Sequence, residues 1–245
     1  MQLRSRLITA GLVTLVAGLV IFFPARVAYQ WFAPPTVMLN GISGSIWSGS
    51  AAQARASGVY LRELSWRFKP LPIFKGQVAY AVEAVPVTGF VDANIAFGFS
   101  GTINLSDLRG SLPLQALEQA ANMPGLSGTI NVQFERLSFE KGLPVAADGE
   151  LTVAALVAPL VYRGSIGGYR AEFFTQNSGV VASVEDTDGV VDLAGSLEIR
   201  SDRTYQFVAM LTPKATTPPK LRQQMQFLGS ANNRGQYQMR LEGTL

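Results

Sequence analysis

The sequence predicts a mainly β protein: an extended, twisted antiparallel sheet with two short helices, preceded by one N-terminal transmembrane helix. Three observations predict this fold. Apolar residues alternate with a period of two through much of the chain beyond residue 36, most of the 24 glycines and 13 prolines fall between the alternating segments, and an uncharged apolar run lies near the N-terminus. Hydrophobic residues make up 48% of the 245-residue chain, which is enough to form a core.

The N-terminal element is a run of 17 residues, 7–23, that contains no charge and follows Arg4 and Arg6. Its length is at the lower limit for crossing a hydrocarbon core of about 30 Å. The positive-inside rule places residues 1–6 in the cytoplasm and the bulk of the chain in the periplasm of a Gram-negative cell, with the helix in the inner membrane. The apolar residues predicted to form this membrane anchor are Leu7, Leu12, Val16, Leu19, Phe22 and Phe23.

The exit segment, residues 24–36, favours a retained anchor over a cleaved signal peptide. Cleavage needs small residues one and three positions before the cut, but a cut after Ala25 would place Phe23 at the third position. A cut after Ala28 would place Arg26 there. A cleaved signal remains the alternative. The side chains predicted to lie at the membrane interface are basic or aromatic: Arg4, Arg6, Tyr29 and Trp31.

Residues 37–245 are predicted to form one periplasmic β domain. The clearest alternation lies in Thr129–Glu135 and Val191–Arg200, and each predicts a strand with one solvated face. The apolar phase flips between Glu135 and Arg136, which predicts a β-bulge or a tight turn. Weaker alternating segments are Leu64–Lys69, Gln77–Glu83, Val91–Phe97, Tyr169–Phe173, Tyr205–Leu211 and Tyr237–Glu242.

Two segments, Pro113–Asn122 and Pro219–Leu228, predict short helices. Each begins at a proline and is followed within a few residues by a glycine. In the second segment apolar residues recur at i, i+4 and i+7. Period-two patterning leaves open whether the sheet is open like a half-pipe, sandwiched, or closed into a barrel.

Composition excludes several classes of function. The chain has no histidine and no cysteine, which removes the Ser-His-Asp constellation, the commonest zinc ligand and any disulfide. The net charge of +3 comes from Arg4, Arg6 and Arg26, so the remainder is neutral and lacks the basic excess that nucleic-acid binding requires. Catalysis by carboxylates or lysine remains open on composition, but no motif in the sequence supports it. The sequence therefore predicts no enzyme, no cofactor and no catalytic or metal-binding residue.

An acidic segment, Glu185–Gly189, resembles the start of a calcium loop because acids at alternate positions precede a glycine. Such a loop needs a bidentate glutamate at its twelfth position, and counting from Asp186 that position is Leu197. A polar hairpin turn between two strands is therefore the favoured interpretation.

A group of basic residues, Arg62, Arg67, Lys69 and Lys75, surrounds the Trp66 strand. Arg67 and Lys69 alternate with Trp66 and Phe68, which favours a solvated strand face. A contact surface for a partner protein or for lipid headgroups is the alternative.

Two blocks of sequence carry a family resemblance. Gly44–Ala51 (GSIWSGSA), followed by Leu64–Pro70 (LSWRFKP), resembles the opening of the type II secretion system protein N family, also called general secretion pathway protein N. In the second block, Asp188–Leu197 (DGVVDLAGSL) and then Leu211–Lys214 (LTPK) are similar to that family's later strands, and Leu241–Leu245 (LEGTL) is similar to its C-terminal strand ending in Gly-x-Leu. The residues that carry the resemblance are Gly44, Trp47, Gly49, Trp66, Pro70, Gly195, Pro213 and Gly243.

The resemblance implies an accessory inner-membrane component of the type II secretion system. Such a protein would be a non-enzymatic scaffold that links the inner-membrane platform proteins to periplasmic and outer-membrane parts, including the secretin. Segment 85–112 matches no phrase of the family. The alternative is a periplasmic protein that resembles AsmA-like lipid-binding or lipid-transfer proteins, in which apolar strand faces line a groove for membrane lipid. In either case Trp47 and Trp66 are predicted to fill space between the sheet and its turns.

Overall fold

The computed structural model of the chain describes residues 2–33, 37–56, 58–86, 88–176 and 179–245, with the backbone only for residues 2–10, 13, 56, 120 and 121. Helix α1 spans Gln2–Ile21 and helix α2 spans Ala25–Phe32. Pro24 separates them with an extended backbone, because its ring prevents a continuous helix. Among the residues that the structure describes, no helix combines the length and the apolar character needed to cross a bilayer.

The remainder of the chain folds into one antiparallel sheet, and every strand pairs with its neighbours in sequence. The mainly β prediction is thus confirmed. The described residues contain 13 strands: β1 Val37–Gly44, β2 Ser48–Ala56, β3 Val59–Lys69, β4 Gln77–Pro86, β5 Phe90–Gly98, β6 Thr102–Pro113, β7 Ser127–Glu140, β8 Leu143–Ala158, β9 Tyr162–Gln176, β10 Gly179–Asp186, β11 Val191–Arg200, β12 Thr204–Pro213 and β13 Tyr237–Thr244.

Both predicted helical segments contain short helices. Helix α3 spans Glu118–Ala121 and follows a 3-10 turn at Leu114–Leu117, and helix α4 spans Pro219–Met225 and continues into a 3-10 turn at Gln226–Leu228. The prediction of two short helices omitted α2, which lies inside the predicted exit segment. The described residues therefore hold three short helices in addition to α1.

Cross-strand register separates the sheet into an apolar face and a polar face. Phe68 pairs with Tyr80, and Tyr80 pairs with Ile95, so these three side chains share the apolar face. One residue earlier, Arg67 pairs with Ala81, which lies opposite Asn94 on the polar face. In the last strands Leu211 likewise pairs with Leu193 and with Tyr237 on the apolar face.

The predicted phase change between Glu135 and Arg136 is confirmed as a β-bulge. The pairing of β7 with β8 shifts register between Phe134 and Arg136. The extra residue of the bulge returns the apolar side chains to the same face. Phe134 before the bulge and Leu137 beyond it therefore pack in one cluster.

The main core lies on the apolar face at the end of the sheet that carries α3 and α4. Leu112, Ile130 and Leu211 from three strands pack there with Leu221 and Met225 of α4. The guanidinium of Arg55 in β2 donates to the Gln119 side-chain oxygen in α3 over 3.0 Å. Since α3 follows β6, this bond links β2 to a segment that lies beyond four further strands in the sequence.

The two ends of the sheet differ in what covers them. We call the end with the turns at 45–47, 70–76 and 99–101 the near end, because α1 meets the sheet there. The far end carries α3, α4 and the turns at 159–161 and 187–190. Within the described residues β1 and β13 are the two edges of an open sheet.

Candidate functional site

The turn between β1 and β2 joins the sheet to the N-terminal helices. The indole Nε1–H of Trp47 donates a hydrogen bond to the backbone carbonyl of Val20 over 2.8 Å. The adjacent N–H of Ile46 donates to the carbonyl of Phe23 over 3.1 Å, and Ser45 forms an antiparallel bridge with Pro24. These contacts fix the end of α1 on the near end of the sheet.

The ring of Trp47 continues into a row of aromatic side chains. Its centroid lies 4.8 Å from that of Phe68, which in turn lies 5.6 Å from that of Tyr80, and both pairs are edge to face. The N–H of Phe68 donates to the carbonyl of Trp47 over 2.6 Å. The row therefore connects the end of α1 to the apolar face of β3 and β4.

Trp66 packs directly over a glycine of the neighbouring strand. Its Nε1–H donates to the carbonyl of Ser45 over 3.1 Å, and its register partner is Gly49. A Cβ at position 49 would lie 2.5 Å from the Trp66 ring and 2.5 Å from the carbonyl oxygen of Ser43. Only glycine leaves room for this ring.

Helix α2 lies along the edge strand β1. The hydroxyl of Tyr29 donates to the carbonyl of Val37 and accepts from the N–H of Leu39, both over 3.1 Å. The Arg26 guanidinium donates to the carbonyl of Ile42 over 3.3 Å. Two side chains of α2 thus occupy backbone groups that the edge of the sheet would otherwise offer to solvent or to another strand.

An apolar groove of about 390 Å³ opens between α2 and the sheet. It lies on the apolar face of the first strands at the near end. Its walls are almost entirely hydrocarbon and aromatic: Ala25, Ala28, Leu39, Ile46, Trp66, Tyr80, Val82, Ile95 and Phe97.

A polar cluster lies at the far end, at the acidic segment for which the sequence predicts a hairpin turn. The ammonium of Lys214, just beyond β12, forms an ion pair with the carboxylate of Asp186 and donates to the carbonyl of Gly189 over 3.0 Å. The backbone N–H of Lys214 donates to the hydroxyl of buried Thr217, which donates to the carbonyl of Val190 over 2.5 Å. The cluster therefore ties the β10–β11 turn to the end of β12.

Two pKa values are shifted in this cluster. Burial alone would raise the pKa of Asp186, but the hydrogen bonds from Lys214 and from the Leu193 N–H outweigh burial and hold that pKa below its usual value. Burial, with the negative charges of Asp186 and Asp188 next, raises the pKa of Tyr169 to about 12. The neutral phenol donates to the carbonyl of Ile166 over 3.1 Å.

The polar side chains of the two clusters hold segments of the chain together. The described residues contain no group of three or more acidic, histidine or cysteine side chains that could hold a metal ion. The carboxylate of Asp186 is engaged by Lys214 and by the Leu193 backbone. The Trp47–Val20 contact and the Lys214–Asp186 contact each join segments that are distant in sequence.

Comparison with known proteins identifies the family. The family model "Type II secretion system (T2SS), protein N" matches residues 35–240. The chain belongs to the type II secretion system protein N family. It is 25% identical to the type II secretion system protein N of Vibrio cholerae serotype O1 over 242 residues, with 94% of each chain covered. It is 23% identical to the protein of the same name from Aeromonas hydrophila, with 96% of each chain covered. No solved structure matches this chain.

The match confirms the family resemblance and extends it, because residues 35–240 include the segment 85–112 in which no family phrase was recognised. As a member of the family, the chain is a component of the type II secretion system.

The structure brings the first group of family residues together at the near end. Gly44 pairs with Gly49, and Gly44 has φ +86°, which suits glycine at the end of β1. Trp47 and Trp66 meet the turn that follows, and Pro70 precedes the 3-10 turn Leu71–Lys75. The prediction for Trp47 and Trp66 was that they fill space between the sheet and its turns. It did not include the hydrogen bonds that both indoles donate to backbone carbonyls.

The second group lies in the last strands and does not meet the first. Gly195 pairs with Ala209, where a Cβ would lie 2.8 Å from the Ala209 methyl group. Gly243 pairs with Tyr205 and leaves room for its ring. Pro213 pairs with Val191 at the end of β12, directly before Lys214.

The predicted anchor and interface residues fall into three groups. Leu12, Val16, Leu19 and Phe22 are exposed on α1 or at its end, whereas Phe23 is half-buried with its ring centroid 5.9 Å from that of Trp31. Tyr29 is half-buried on β1 and Trp31 is exposed. The side chains of three predicted residues lie outside the described ones: Leu7, Arg4 and Arg6.

Two contacts in these clusters were not predicted from the sequence. The Asp186–Lys214 pair joins residues 28 positions apart, and the presence of each in a separate turn motif was the only signal. The docking of Tyr29 on β1 was also missed, because Tyr29 was interpreted as a membrane-interface residue. A helical spacing in residues 25–32, with Ala25, Ala28 and Tyr29 on one side, could have indicated it.

Proposed function

We propose that this chain is a non-enzymatic scaffold of the type II secretion system, held at the inner membrane by residues 7–23. It would link the inner-membrane platform proteins to periplasmic and outer-membrane parts, including the secretin. The observation that carries the proposal is the joint between Trp47 and Val20. A protein that transmits position between a membrane and a partner needs such a rigid joint rather than a free linker.

The uncharged run and its flanking residues support the membrane end of this proposal. Arg4 and Arg6 precede the run, which favours a cytoplasmic N-terminus and a periplasmic sheet. The side chains of Leu12, Val16 and Leu19 are each more than half exposed, as side chains in contact with lipid tails would be.

The free edge of β13 supports a protein partner. Among the residues that the structure describes, Tyr237–Thr244 pair with β12 on one side only, and the exposed side chains of Gln238 and Arg240 lie along the polar face. An unpaired edge can accept a strand from another protein through main-chain hydrogen bonds. At the other edge, Tyr29 already occupies backbone groups of β1.

In-cell photo-crosslinking tests the scaffold. A photoreactive phenylalanine analogue is placed at Gln238 or Arg240, with Asn131 and Gln133 on the central strand β7 as exposed controls. We expect adducts with secretion-system subunits from the β13 positions and few from β7, and loss of exoprotein secretion when the chain is deleted. Normal secretion without the chain, or no adduct with a secretion protein from any position at normal protein level, would refute the scaffold.

A second candidate function is lipid binding of the AsmA-like kind. It is favoured by the groove beneath α2, whose volume of about 390 Å³ lies within the range of about 300–1,000 Å³ typical of small-ligand sites. Organic extraction of the purified protein followed by mass spectrometry tests it. Ala28→Trp should fill the groove and abolish bound acyl chains, whereas Gln30→Trp on the exposed side of α2 should not. Empty wild-type protein would rule lipid binding out.

A further inference from the structure

Two turns at the near end expose large apolar side chains. We call Leu71, Ile73, Phe74 and Phe99 the apolar rim. Their exposed fractions are 77%, 49%, 89% and 82%. A soluble loop seldom displays contiguous aromatic and aliphatic side chains without a surface to receive them.

The rim is held in a fixed shape. Pro70 precedes the 3-10 turn Leu71–Lys75, Pro72 lies within it, and Gly76 closes it in the left-handed conformation with φ +69°. The N–H of Phe99 donates to the carbonyl of Gly76 over 3.4 Å, so the two turns lie side by side. The backbone conformation of the two turns therefore keeps these apolar side chains exposed.

The rim is continuous with the attachment of α1. Phe68, which leads into the rim turn, bonds to the carbonyl of Trp47, and Trp47 bonds to Val20 of α1. From that point α1 presents Leu15, Leu19 and other exposed apolar side chains. An apolar helix and an apolar rim thus leave the same end of the sheet.

The charged side chains in the two segments that carry the rim, 64–82 and 93–106, are all positive, and the exposed acid next to them is Glu140, which pairs with Thr102 one strand further along. Arg67, Lys69 and Lys75 are exposed beside it, and neither segment 64–82 nor segment 93–106 contains an acidic residue. Cations that flank exposed aromatic side chains match a membrane surface, where long basic side chains reach phosphate headgroups and aromatic rings sit below them.

We propose that the apolar rim inserts into the surface of a lipid bilayer containing anionic phospholipid, with Lys69 and Lys75 on the headgroups. The rim is a second membrane contact, separate from residues 7–23, and it orients the sheet with its near end on the bilayer and its far end away from it. This goes beyond the scaffold role, which requires an anchor but no contact between the sheet and lipid.

The absence of cysteine from the sequence allows a site-specific test on the full chain. Phe74→Cys and Phe99→Cys are labelled with an environment-sensitive dye and reconstituted into vesicles of phosphatidylethanolamine and phosphatidylglycerol. Leu160→Cys and Phe227→Cys are matched controls, because these residues are 70% and 87% exposed at the far end. Quenching is measured with nitroxide lipids and with aqueous iodide.

We expect dyes at 74 and 99 to show blue-shifted emission, quenching by nitroxide lipids and protection from iodide, while dyes at 160 and 227 show the reverse. Equal iodide quenching at all four positions would overturn the proposal. Protection at 74 and 99 that requires another secretion protein would also overturn it, because the rim would then bind protein. The secretion assay with crosslinking is a separate readout, so failure of the rim and failure of the scaffold are distinguishable.

Discussion

The indole N–H of Trp47 lies 2.8 Å from the carbonyl oxygen of Val20 and donates a hydrogen bond to it. The two residues belong to different parts of the molecule, a turn of the sheet and the last turn of α1. Ile46 bonds to Phe23 beside them, so two hydrogen bonds resist rotation of the helix about the sheet.

Replacing Trp47 by phenylalanine should loosen this joint without removing the ring that packs near Phe68. In the unfolded chain water replaces an intramolecular hydrogen bond, so loss of one such bond lowers the free energy of unfolding by only about 0.5–1.5 kcal/mol. We expect faster hydrogen exchange at the N–H of Ile46, measured by mass spectrometry on the full chain in detergent. Trp31→Phe is the control, since Trp31 is 68% exposed. Unchanged exchange at Ile46 would show that the Trp47 bond does not hold the joint.

Replacing Gly49 by alanine should displace Trp66. The added methyl group would lie 2.5 Å from both the indole ring and the Ser43 carbonyl oxygen, and overpacking of this kind costs about 1–3 kcal/mol. Denaturant unfolding should show this loss together with a changed tryptophan emission in the folded state. Ser50→Ala on the opposite face should cost less, because it removes only an exposed hydroxyl pair with Ser43. Equal midpoints for the two variants would contradict the packing argument.

Replacing Tyr29 by phenylalanine should release the edge of the sheet. The hydroxyl donates to the carbonyl of Val37 and accepts from the N–H of Leu39. Loss of each hydrogen bond should lower the free energy of unfolding by about 1 kcal/mol. We expect faster exchange at the N–H of Leu39 and increased self-association through β1. Tyr60→Phe, on the exposed polar face of β3, is the control. Protection of Leu39 equal to wild type would show that α2 covers the edge by other contacts.

The strands with clean alternation could be predicted because one face of the sheet is apolar throughout. Val191–Arg200 coincides with β11, and the phase change at Glu135 is the bulge in β7. The predicted helices also coincide with helical segments, since proline and glycine mark their bounds. In these elements local pattern and tertiary packing agree.

Other elements could not be predicted because tertiary contacts define them. β1 and β2 consist largely of small residues, and the left-handed backbone of Gly41, with φ +66°, interrupts the alternation of β1. Helix α2 has only eight residues, too few to be stable alone, and it is held by Tyr29 on β1. The Asp186–Lys214 pair depends on the pairing of three strands, which no local pattern encodes.

Replacing Asp186 by asparagine should make the free energy of unfolding less dependent on pH in the acidic range. The Lys214 ammonium and the Leu193 N–H favour the ionised carboxylate, so the folded pKa lies below the unfolded value, which is about 3.9. The ion pair therefore stabilises the fold above the unfolded pKa, and this contribution is lost as the pH falls through the folded pKa.

At neutral pH the Asp186→Asn variant should lose about 2 kcal/mol of unfolding free energy, discounted for the partial exposure of Lys214. The difference from wild type should shrink as the pH is lowered below about 4, the unfolded pKa of aspartate. Glu185→Gln is the matched control, because its exposed carboxylate lies 3.8 Å from Arg170 and such a pair contributes about 0–1 kcal/mol. Denaturant titrations across this pH range give both quantities. If the loss of unfolding free energy in Asp186→Asn stayed constant as the pH fell, the carboxylate charge would not stabilise the turn. Packing of the Lys214 and Thr217 segment alone would then hold the β10–β11 turn to the end of β12.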